Sequence, residues 1–265
     1  MYTISNNICS CFIFDIIKKL NYFNQLLISY YSMSKTLIFS ATYNEIDNIE
    51  QLILQINHCK ENLDILIIDD NSPDKTGEIL IDLKKKYKNL ILVHRHAKLG
   101  LDTAHKYAYD FAIKNSYSKL ITMDADLSHD PKEITQFIRL LDQHEFIIGS
   151  RYIKGGKCEM PFLRLFLSII GNRIIKFVLK INCNEFTTSY RGFNLLKLNN
   201  FHLNKINSKG YSFFMETIYQ LNKIGYKIKE VPIYFKNRTA GKSKIPKIEI
   251  FRTLKNLFLL EFFNK

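Results

Sequence analysis

The chain has 265 residues, of which 46% are hydrophobic and 24% charged, a composition that excludes a disordered chain and is enough for one substantial core. The net charge of +13 indicates an anionic partner: nucleic acid, a phosphate-bearing ligand or an acidic membrane surface. No apolar run approaches the ~20 residues that cross a bilayer. The five cysteines have no paired, zinc-like spacing and favour a reducing, cytosolic location over a disulfide framework.

The first 32 residues differ in pattern from the rest of the chain. They lack the basic start and small-residue cleavage site of a signal peptide. Organised structure begins after Met33, so the alternative is that translation starts there. We treat 1–32 as an N-terminal extension and 33–265 as the main domain. The extension has apolar side chains at helical spacing, which predict an amphipathic helix lying on a membrane surface or packed on the domain: Phe12, Ile13, Ile16, Ile17, Leu20, Phe23 and Leu27.

Strands and helices alternate from residue 35 to residue 149. This alternation predicts an α/β fold with a mostly parallel central sheet and flanking helices. Right-handed crossovers would bring the loops that follow the strands to one edge of that sheet. The predicted strands are 36–40, 63–68, 90–94, 120–123 and 146–149, and the predicted helices are 44–58, 75–87, 103–114 and 131–143.

The alternation ends after Arg151. Two apolar helical segments with interspersed basic residues, 161–181 and 247–263, are predicted to lie in a membrane interface with their apolar faces toward the lipid. A helix over 211–225 and a single strand over 227–235 are predicted between them. The polar stretch 187–194 is assigned no element.

Two carboxylates, Asp124 and Asp126, follow the predicted strand 120–123. Open α/β sheets bind ligands at this end of their strands, and Mg²⁺ prefers one or two carboxylates together with phosphate oxygens. Asp130 and Pro131 already supply the cap of the next helix. A metal–diphosphate site is therefore favoured over a solvated turn.

Polar or basic residues after four other predicted strands have two readings each. Asp69 would accept hydrogen bonds from a ribose or a base, or would form part of a turn. Tyr43 and Glu45 would bind a nucleobase, or would begin a helix. Arg151 suits a phosphate through its bidentate fork, with a salt bridge at the rim as the alternative. The basic loop 238–244 would close over a diphosphate or contact a nucleic-acid backbone.

Short motifs in one order along about 35–260 resemble those of family 2 glycosyltransferases, and specifically of the dolichyl-phosphate (polyprenyl-phosphate) mannosyltransferase branch. The motifs are Tyr43-Asn44-Glu45, Ile67-Ile68-Asp69-Asp70-Asn71-Ser72-Pro73-Asp74, Lys98-Leu99-Gly100-Leu101, Met123-Asp124-Ala125-Asp126-Leu127-Ser128-His129, Gly149-Ser150-Arg151-Tyr152, Arg191, Gly210-Tyr211, Met215-Glu216, Glu230-Val231-Pro232-Ile233 and 238–244.

The resemblance implies a GT-A nucleotide-sugar-binding fold, a GDP-mannose donor, a dolichyl or polyprenyl monophosphate acceptor and Mg²⁺ or Mn²⁺. By position, the nucleotide would be held by Ala41, Tyr43, Glu45, Ile67 and Asp69, and the diphosphate by Asp124, Ala125 and Asp126. The metal ligands would be Asp124, Asp126 and Ser128. The phosphate clamps would be Arg151, Arg238 and Lys244, and the catalytic residues Asp126, Arg151 and Arg238. The lipid phosphate would approach Arg164 and Ser168.

This sequence departs from the family pattern at three positions. Ala41 stands where a proline is common, Asp102 where a small residue is usual, and Ser128 where some relatives have a glutamine metal ligand. The chain also has no tryptophan and lacks the Gln-x-x-Arg-Trp motif of processive sugar polymerases. That absence fits an inverting attack by a lipid phosphate, which at neutral pH is largely dianionic and needs no general base.

The expected protein is a peripheral enzyme on an anionic membrane surface: the cytosolic face of the endoplasmic reticulum, or the bacterial inner membrane. A small membrane-anchoring subunit is a further expected partner, and nucleic acid is not. Two alternatives stay open. One is a polyprenyl-phosphate glucosyltransferase that uses UDP-glucose, and the other is a non-catalytic glycosyltransferase-like subunit.

Overall fold

A computed structural model describes residues 35–59, 61–237 and 249–263. The predicted extension 1–32 and the basic residues Arg238 and Lys244 lie outside these ranges. Seven strands form one sheet in the order β3-β2-β1-β4-β7-β5-β8: β1 Thr36–Thr42, β2 Leu63–Asp69, β3 Leu90–His94, β4 Lys119–Thr122, β5 Phe146–Ser150, β7 Arg191–Asn194 and β8 Ile228–Pro232. A second sheet pairs β6, Lys157–Cys158, with β9, Tyr234–Phe235.

Helices cover both faces of the large sheet. All seven residues of β2 are buried, as expected for a strand with packed layers on both sides. One core cluster contains Phe39 and Phe213, and the other contains Ile38 and Phe137, so neighbouring residues of β1 point into opposite layers. The helices are α1 Ile49–Asn57, α2 Thr76–Lys86, α3 Leu101–Lys114, α4 Ile134–Gln143, α5 Phe162–Leu179, α6 Tyr211–Ile224 and α7 Glu249–Phe263.

The mostly parallel sheet is confirmed, with one strand that the sequence did not indicate. β7 lies antiparallel between β4 and β5, within the polar stretch that had been assigned no element. Its four residues are all buried, so no alternation of polar and apolar residues marks it. Gly192 allows the close packing, because a Cβ atom there would lie 2.7 Å from Cγ1 of Ile147.

The single strand predicted over 227–235 is wrong. It divides into β8, which pairs with β5, and β9, which pairs with β6. The break lies at Ile233, whose amide donates to the carbonyl oxygen of Ser150 at 3.1 Å. The preceding residue, Pro232, has no amide hydrogen to donate, which suits the end of a strand.

The first helix begins later than predicted, at Ile49. Asn44 has a φ of 58°, and its amide donates to the hydroxyl of Ser72 at 3.0 Å. The carbonyl of Glu45 then accepts from the amides of Asn48 and Ile49, both at 3.0 Å. Residues 44–48 are therefore a turn that holds two neighbouring loops together.

The predicted interface helices are α5 and α7, which contact each other. Both leave large apolar side chains exposed to solvent. Phe162 and Phe177 at the two ends of α5 are each 82% exposed, and Phe258 of α7 is 57% exposed. Among the helices of the described residues, none combines the length and hydropathy needed to cross a bilayer.

Candidate active site

The carboxyl ends of β1, β2, β4 and β5 meet at one edge of the sheet. Thr42 and Asp69, the last residues of β1 and β2, are paired in register. Asp124 and Asp126 follow β4, and Arg151 follows β5. The predicted convergence of the acidic loops and Arg151 at this edge is therefore present.

Asp124 has one carboxylate oxygen fixed inside the protein and remains accessible. The hydroxyl of Ser189 donates to its Oδ1 atom at 2.5 Å, while the side chain is 37% exposed. The amide of Asp124 donates to Nδ1 of His129 at 3.0 Å. This bond puts the proton of a neutral His129 on Nε2, which lies 3.2 Å from the hydroxyl of Thr188. Burial lowers the pKa of His129, in agreement with the neutral form.

Asp126 is oriented by its own loop. Leu127 has a φ of 61°, and the turn returns Ser128 to the carboxylate. Oδ1 of Asp126 accepts from the amide of Ser128 at 3.1 Å and from its hydroxyl at 2.6 Å. Ser128 is fully buried, and both of these hydrogen bonds orient the carboxylate of Asp126. The role of Ser128 as a metal ligand stays a prediction.

The two carboxylates fit a hard divalent cation that keeps other ligands. No group of three or more His, Cys, Asp or Glu side chains suited to a metal occurs within the described ranges. Mg²⁺ and Mn²⁺ are bound by oxygen atoms, and Mg²⁺ at phosphate-transfer sites commonly takes only one or two carboxylates from the protein. Asp124 and Asp126 would therefore leave the remaining positions to a diphosphate and water.

Asp69 is completely buried and saturated by internal hydrogen bonds. Its Oδ1 accepts from the hydroxyls of Thr42, at 3.0 Å, and Ser72. Its Oδ2 accepts from the amide of Ser72 at 3.2 Å and lies 3.0 Å from Nδ1 of His94. A nucleotide that contacts Asp69 would have to replace one of these partners.

The other residues predicted to hold the nucleotide differ in accessibility. The ammonium group of Lys98 lies 3.9 Å from the centre of the Tyr43 ring. Glu45 is 8% exposed and accepts from Nδ2 of Asn48 at 2.8 Å. Ala41 is half-buried. The side chains of Ile67 and Ala125 lie in the core, so neither offers an exposed side-chain atom to a nucleotide.

Arg151 forms a salt bridge, which was the alternative reading of its sequence position, but the pair is buried and does not lie at the rim as that reading expected. Its Nε and Nη2 atoms donate to the two carboxylate oxygens of Glu185 at 2.7 and 2.8 Å. Burial alone would lower the pKa of Arg151, but the charge of Glu185 raises that pKa above the ordinary value for arginine. Burial alone would likewise raise the pKa of Glu185, but Arg151 holds it below the usual range. Both groups are charged, and a phosphate role for Arg151 stays a prediction.

A basic cavity of about 410 Å³ lies between α5 and the loop that follows β5. Its charged lining consists of Arg151, Lys157, Arg173 and Lys176, and its apolar lining includes Leu165 and Ile169. Ser168 borders this region, since its hydroxyl lies 2.7 Å from that of Tyr152. Arg164 is exposed and is not among the lining residues.

The sequence profile described as "Glycosyl transferase family 2" matches residues 38–199, more than half of the chain. The chain belongs to this family. Two curated proteins extend the similarity over most of both chains. One is the polyprenol monophosphomannose synthase of Mycolicibacterium smegmatis, 34% identical over 80% of this chain and 81% of the relative. The other is the undecaprenyl-phosphate mannosyltransferase of Micrococcus luteus, 31% identical over 80% of this chain and 87% of the relative.

Solved structures show the fold of this family 2 glycosyltransferase. Glucosyl-3-phosphoglycerate synthase from Mycobacterium tuberculosis, solved with Mn²⁺, UDP and glucosyl-3-phosphoglycerate, superposes with a TM-score of 0.61 at 14% identity. The alignment covers 86% of this chain and 80% of that one. The predicted GT-A fold is therefore confirmed, and the protein is a glycosyltransferase.

Three residues of this candidate site were not singled out from the sequence. Ser189 and Glu185 contact Asp124 and Arg151 across 65 and 34 residues of chain, and no local spacing reveals such pairs. His129 was noted only as part of its motif. The polar stretch 187–194 was the one available signal, because polar residues without an assigned element are candidates for contacts with a site.

Proposed function

We propose that this glycosyltransferase moves a mannosyl group from GDP-mannose to a polyprenyl or dolichyl monophosphate, with inversion at the anomeric carbon. The observation that carries the proposal is that an acidic pair and a basic cavity lie next to each other. The Asp124/Asp126 carboxylates and the basic cavity beside α5 are joined by the segment 184–189, which contacts Asp124 through Ser189 and Arg151 through Glu185. The curated relatives, named for mannosyl transfer to polyprenyl phosphates, support the same substrates.

On the donor side, Asp124 and Asp126 would hold Mg²⁺ or Mn²⁺ against the diphosphate of the sugar nucleotide. The metal would supply positive charge for the departing nucleoside diphosphate. The Mn²⁺ in the solved glucosyl-3-phosphoglycerate synthase supports a divalent ion in this fold. Tyr43, Glu45 and Asp69 would contact the nucleotide, and Arg238 and Lys244 would clamp the phosphates.

On the acceptor side, the basic cavity would receive the lipid phosphate. A phosphate monoester has a second pKa of about 6 and is largely dianionic at neutral pH, so its attack needs no general base. Arg173 and Lys176 line the cavity and would orient the phosphate oxygens. These two residues extend the acceptor site predicted from Arg164 and Ser168.

The exposed faces of α5 and α7 would bring the enzyme to its lipid substrate. Phe162, Leu163, Phe166 and Leu167 are between 49% and 82% exposed and lie on the helix that borders the cavity. Apolar side chains next to basic ones suit an anionic membrane surface. We therefore propose peripheral attachment to the cytosolic face, with a small membrane-anchoring subunit as a further partner.

Sugar transfer tests the proposal directly. The full chain, in detergent, is incubated with radiolabelled GDP-mannose and a polyprenyl monophosphate, with and without Mg²⁺ or Mn²⁺. We expect metal-dependent label in the lipid fraction, and its loss in the Asp126→Ala variant. Preferred transfer from UDP-glucose would replace mannose by glucose. No transfer from either donor, even with membranes that supply a partner, would support a non-catalytic subunit.

A further inference from the structure

The carboxylate of Asp124 is held in one orientation by a residue from a distant part of the chain. Ser189 donates to Oδ1 at 2.5 Å, while the main chain of Asp124 is held by His129 at 3.0 Å. Since Asp124 is 37% exposed, its side chain would otherwise be free to rotate about its single bonds. Among the described residues, the Ser189 hydroxyl is the one hydrogen-bond donor to this carboxylate.

Ser189 is itself held on both sides. Its carbonyl oxygen accepts from the hydroxyl of Thr122, the last residue of β4, at 2.5 Å. The residue before it, Thr188, binds His129 through its hydroxyl and accepts from Nε of Arg191 through its carbonyl at 2.8 Å. A serine fixed in this way presents its hydroxyl at a defined position, as a supporting residue of a metal site requires.

Arg191 holds the segment that carries Ser189, and its burial has a cost in free energy. It is 1% exposed, and its Nη2 atom donates to the carbonyl of Phe186 at 2.9 Å. Its third nitrogen, Nη1, has no hydrogen-bond partner among the described residues. Burial lowers the pKa of Arg191 to about 9, which records the cost of keeping its charge away from water. Arg191 is thus a buried arginine that donates to two carbonyls of the 184–189 segment and restrains the position of that segment.

We propose that Ser189 is a positioning residue for the divalent metal, which acts by orienting the carboxylate of Asp124. The inference rests on the proposed assignment of Asp124 as a metal ligand. Metal ligands are commonly oriented by hydrogen bonds from an outer layer of residues, and loss of such a partner costs about 10- to 100-fold in metal affinity or activity.

Direct metal binding tests this role independently of sugar transfer. Free Mn²⁺ is measured by electron paramagnetic resonance while the full chain is titrated in detergent with Mn²⁺ and a fixed concentration of GDP. We expect Ser189→Ala to raise the Mn²⁺ concentration for half-saturation by about 10- to 100-fold. Ser189→Thr keeps the hydroxyl and is expected to stay close to the unmodified protein.

Ser212→Ala is the matched control. Ser212 is buried, as Ser189 is, and its hydroxyl has no hydrogen-bond partner among the described residues. Unchanged Mn²⁺ binding in Ser189→Ala, with binding lost in Asp124→Asn, would overturn the inference and leave the metal site standing. Unchanged Mn²⁺ binding in Asp124→Asn would overturn both the role of Ser189 and the assignment of Asp124 as a metal ligand. Equal losses in the two alanine variants would show a packing effect and would also overturn the inference.

Discussion

Arg151 and Glu185 form a two-pronged ion pair inside the protein, at 2.7 and 2.8 Å, with exposed fractions of 8% and 0% for their side chains. Thr187 adds two further donors, its amide at 3.1 Å and its hydroxyl at 2.9 Å, to Oε1 of the same glutamate. A buried pair of this kind is much more costly to break than it is favourable to form, because the remaining charge is left without a partner.

Replacing Glu185 with alanine is therefore expected to lower the free energy of unfolding by about 3–5 kcal/mol. Urea unfolding followed by circular dichroism measures the change. The double variant Arg151→Met/Glu185→Leu removes both charges and is expected to recover most of the loss.

The exposed pair of Lys85 and Asp82, whose side chains are 74% and 77% exposed, is the control for the Glu185 variants. Asp82→Ala should change the free energy of unfolding by less than about 1 kcal/mol. A Glu185→Ala variant as stable as Asp82→Ala would contradict the expected cost of breaking the buried Arg151–Glu185 pair.

The basic cavity predicts a selective effect on the acceptor. Removing the charge of Arg173 or Lys176 is expected to raise the KM for the polyprenyl phosphate by about 10- to 100-fold, since hydrogen bonds to charged groups contribute about 1.5–3 kcal/mol. The KM for GDP-mannose should stay nearly constant, because the residues proposed to hold the nucleotide lie on other loops. Initial rates with each substrate varied in turn measure the two constants.

Arg139→Ala is the control for the cavity variants, because this arginine is also exposed and helical but lies on α4. It should leave both KM values unchanged. Equal effects of Arg173→Ala on donor and acceptor would show that the cavity does not select the lipid phosphate.

The apolar face of α5 predicts binding to lipid vesicles. Phe162 and Phe177 are each 82% exposed, so their replacement by serine should cost little folding stability. Burying a phenylalanine contributes about 1.5–3 kcal/mol. We expect the double variant to bind vesicles of phosphatidylcholine and phosphatidylglycerol at least about 10-fold more weakly in a sedimentation assay. Ile81→Ser, which alters a 54% exposed side chain on α2, should bind like the unmodified protein.

Glu133 predicts a pH dependence of stability. Burial raises its pKa to about 7, with a smaller contribution from Asp130, against the opposing effects of the Tyr234 amide and Lys236. Its Oε2 atom has no hydrogen-bond partner among the described residues. Between the ordinary pKa of 4.5 and about 7, the folded state holds a proton that the unfolded state has lost. Stability therefore falls as the pH rises through this window.

Glu133→Gln removes the titrating group and should flatten this decline, with a gain of about 1–2 kcal/mol at pH 8. Denaturant unfolding between pH 5 and pH 8 measures how the free energy of unfolding depends on pH in each protein. Glu78→Gln, at an exposed position of α2, should leave the slope unchanged. If the free energy of unfolding of Glu133→Gln fell with pH as steeply as that of the unmodified protein, other titrating groups would be responsible for the decline.

The strands that the sequence predicted well are those with uniform apolar runs. The strand predicted at 90–94 agrees with β3 at both ends, and β2 differs from its prediction by one residue. β7 was missed because an arginine, a glycine and an asparagine are unusual in the centre of a sheet. Here the buried Arg191 is satisfied by carbonyls of its own loop, at Thr188 and Phe186, which no propensity reveals.

Site residues divide in the same way. The position of the Asp124/Asp126 pair after a strand was predictable, because it depends on local pattern and on the geometry of parallel sheets. The partners of those residues were not, since they come from separate parts of the chain. Asp102, whose unusual position had no explanation in the sequence, accepts from the amide of Gly210 at 3.3 Å and so joins the beginnings of α3 and α6.

The place of β7 in the sheet has a consequence for biosynthesis. β4 pairs with β1 and β7, and β5 pairs with β7 and β8, so no pairing joins β4 to β5 directly. β5 precedes both of its partner strands in the chain. Until Arg191–Asn194 leave the ribosome, β5 is therefore unpaired and β4 has an open edge, and such edges are sites for incorrect pairing. The strand that precedes Arg151 therefore joins the sheet only after about three quarters of the chain has been translated.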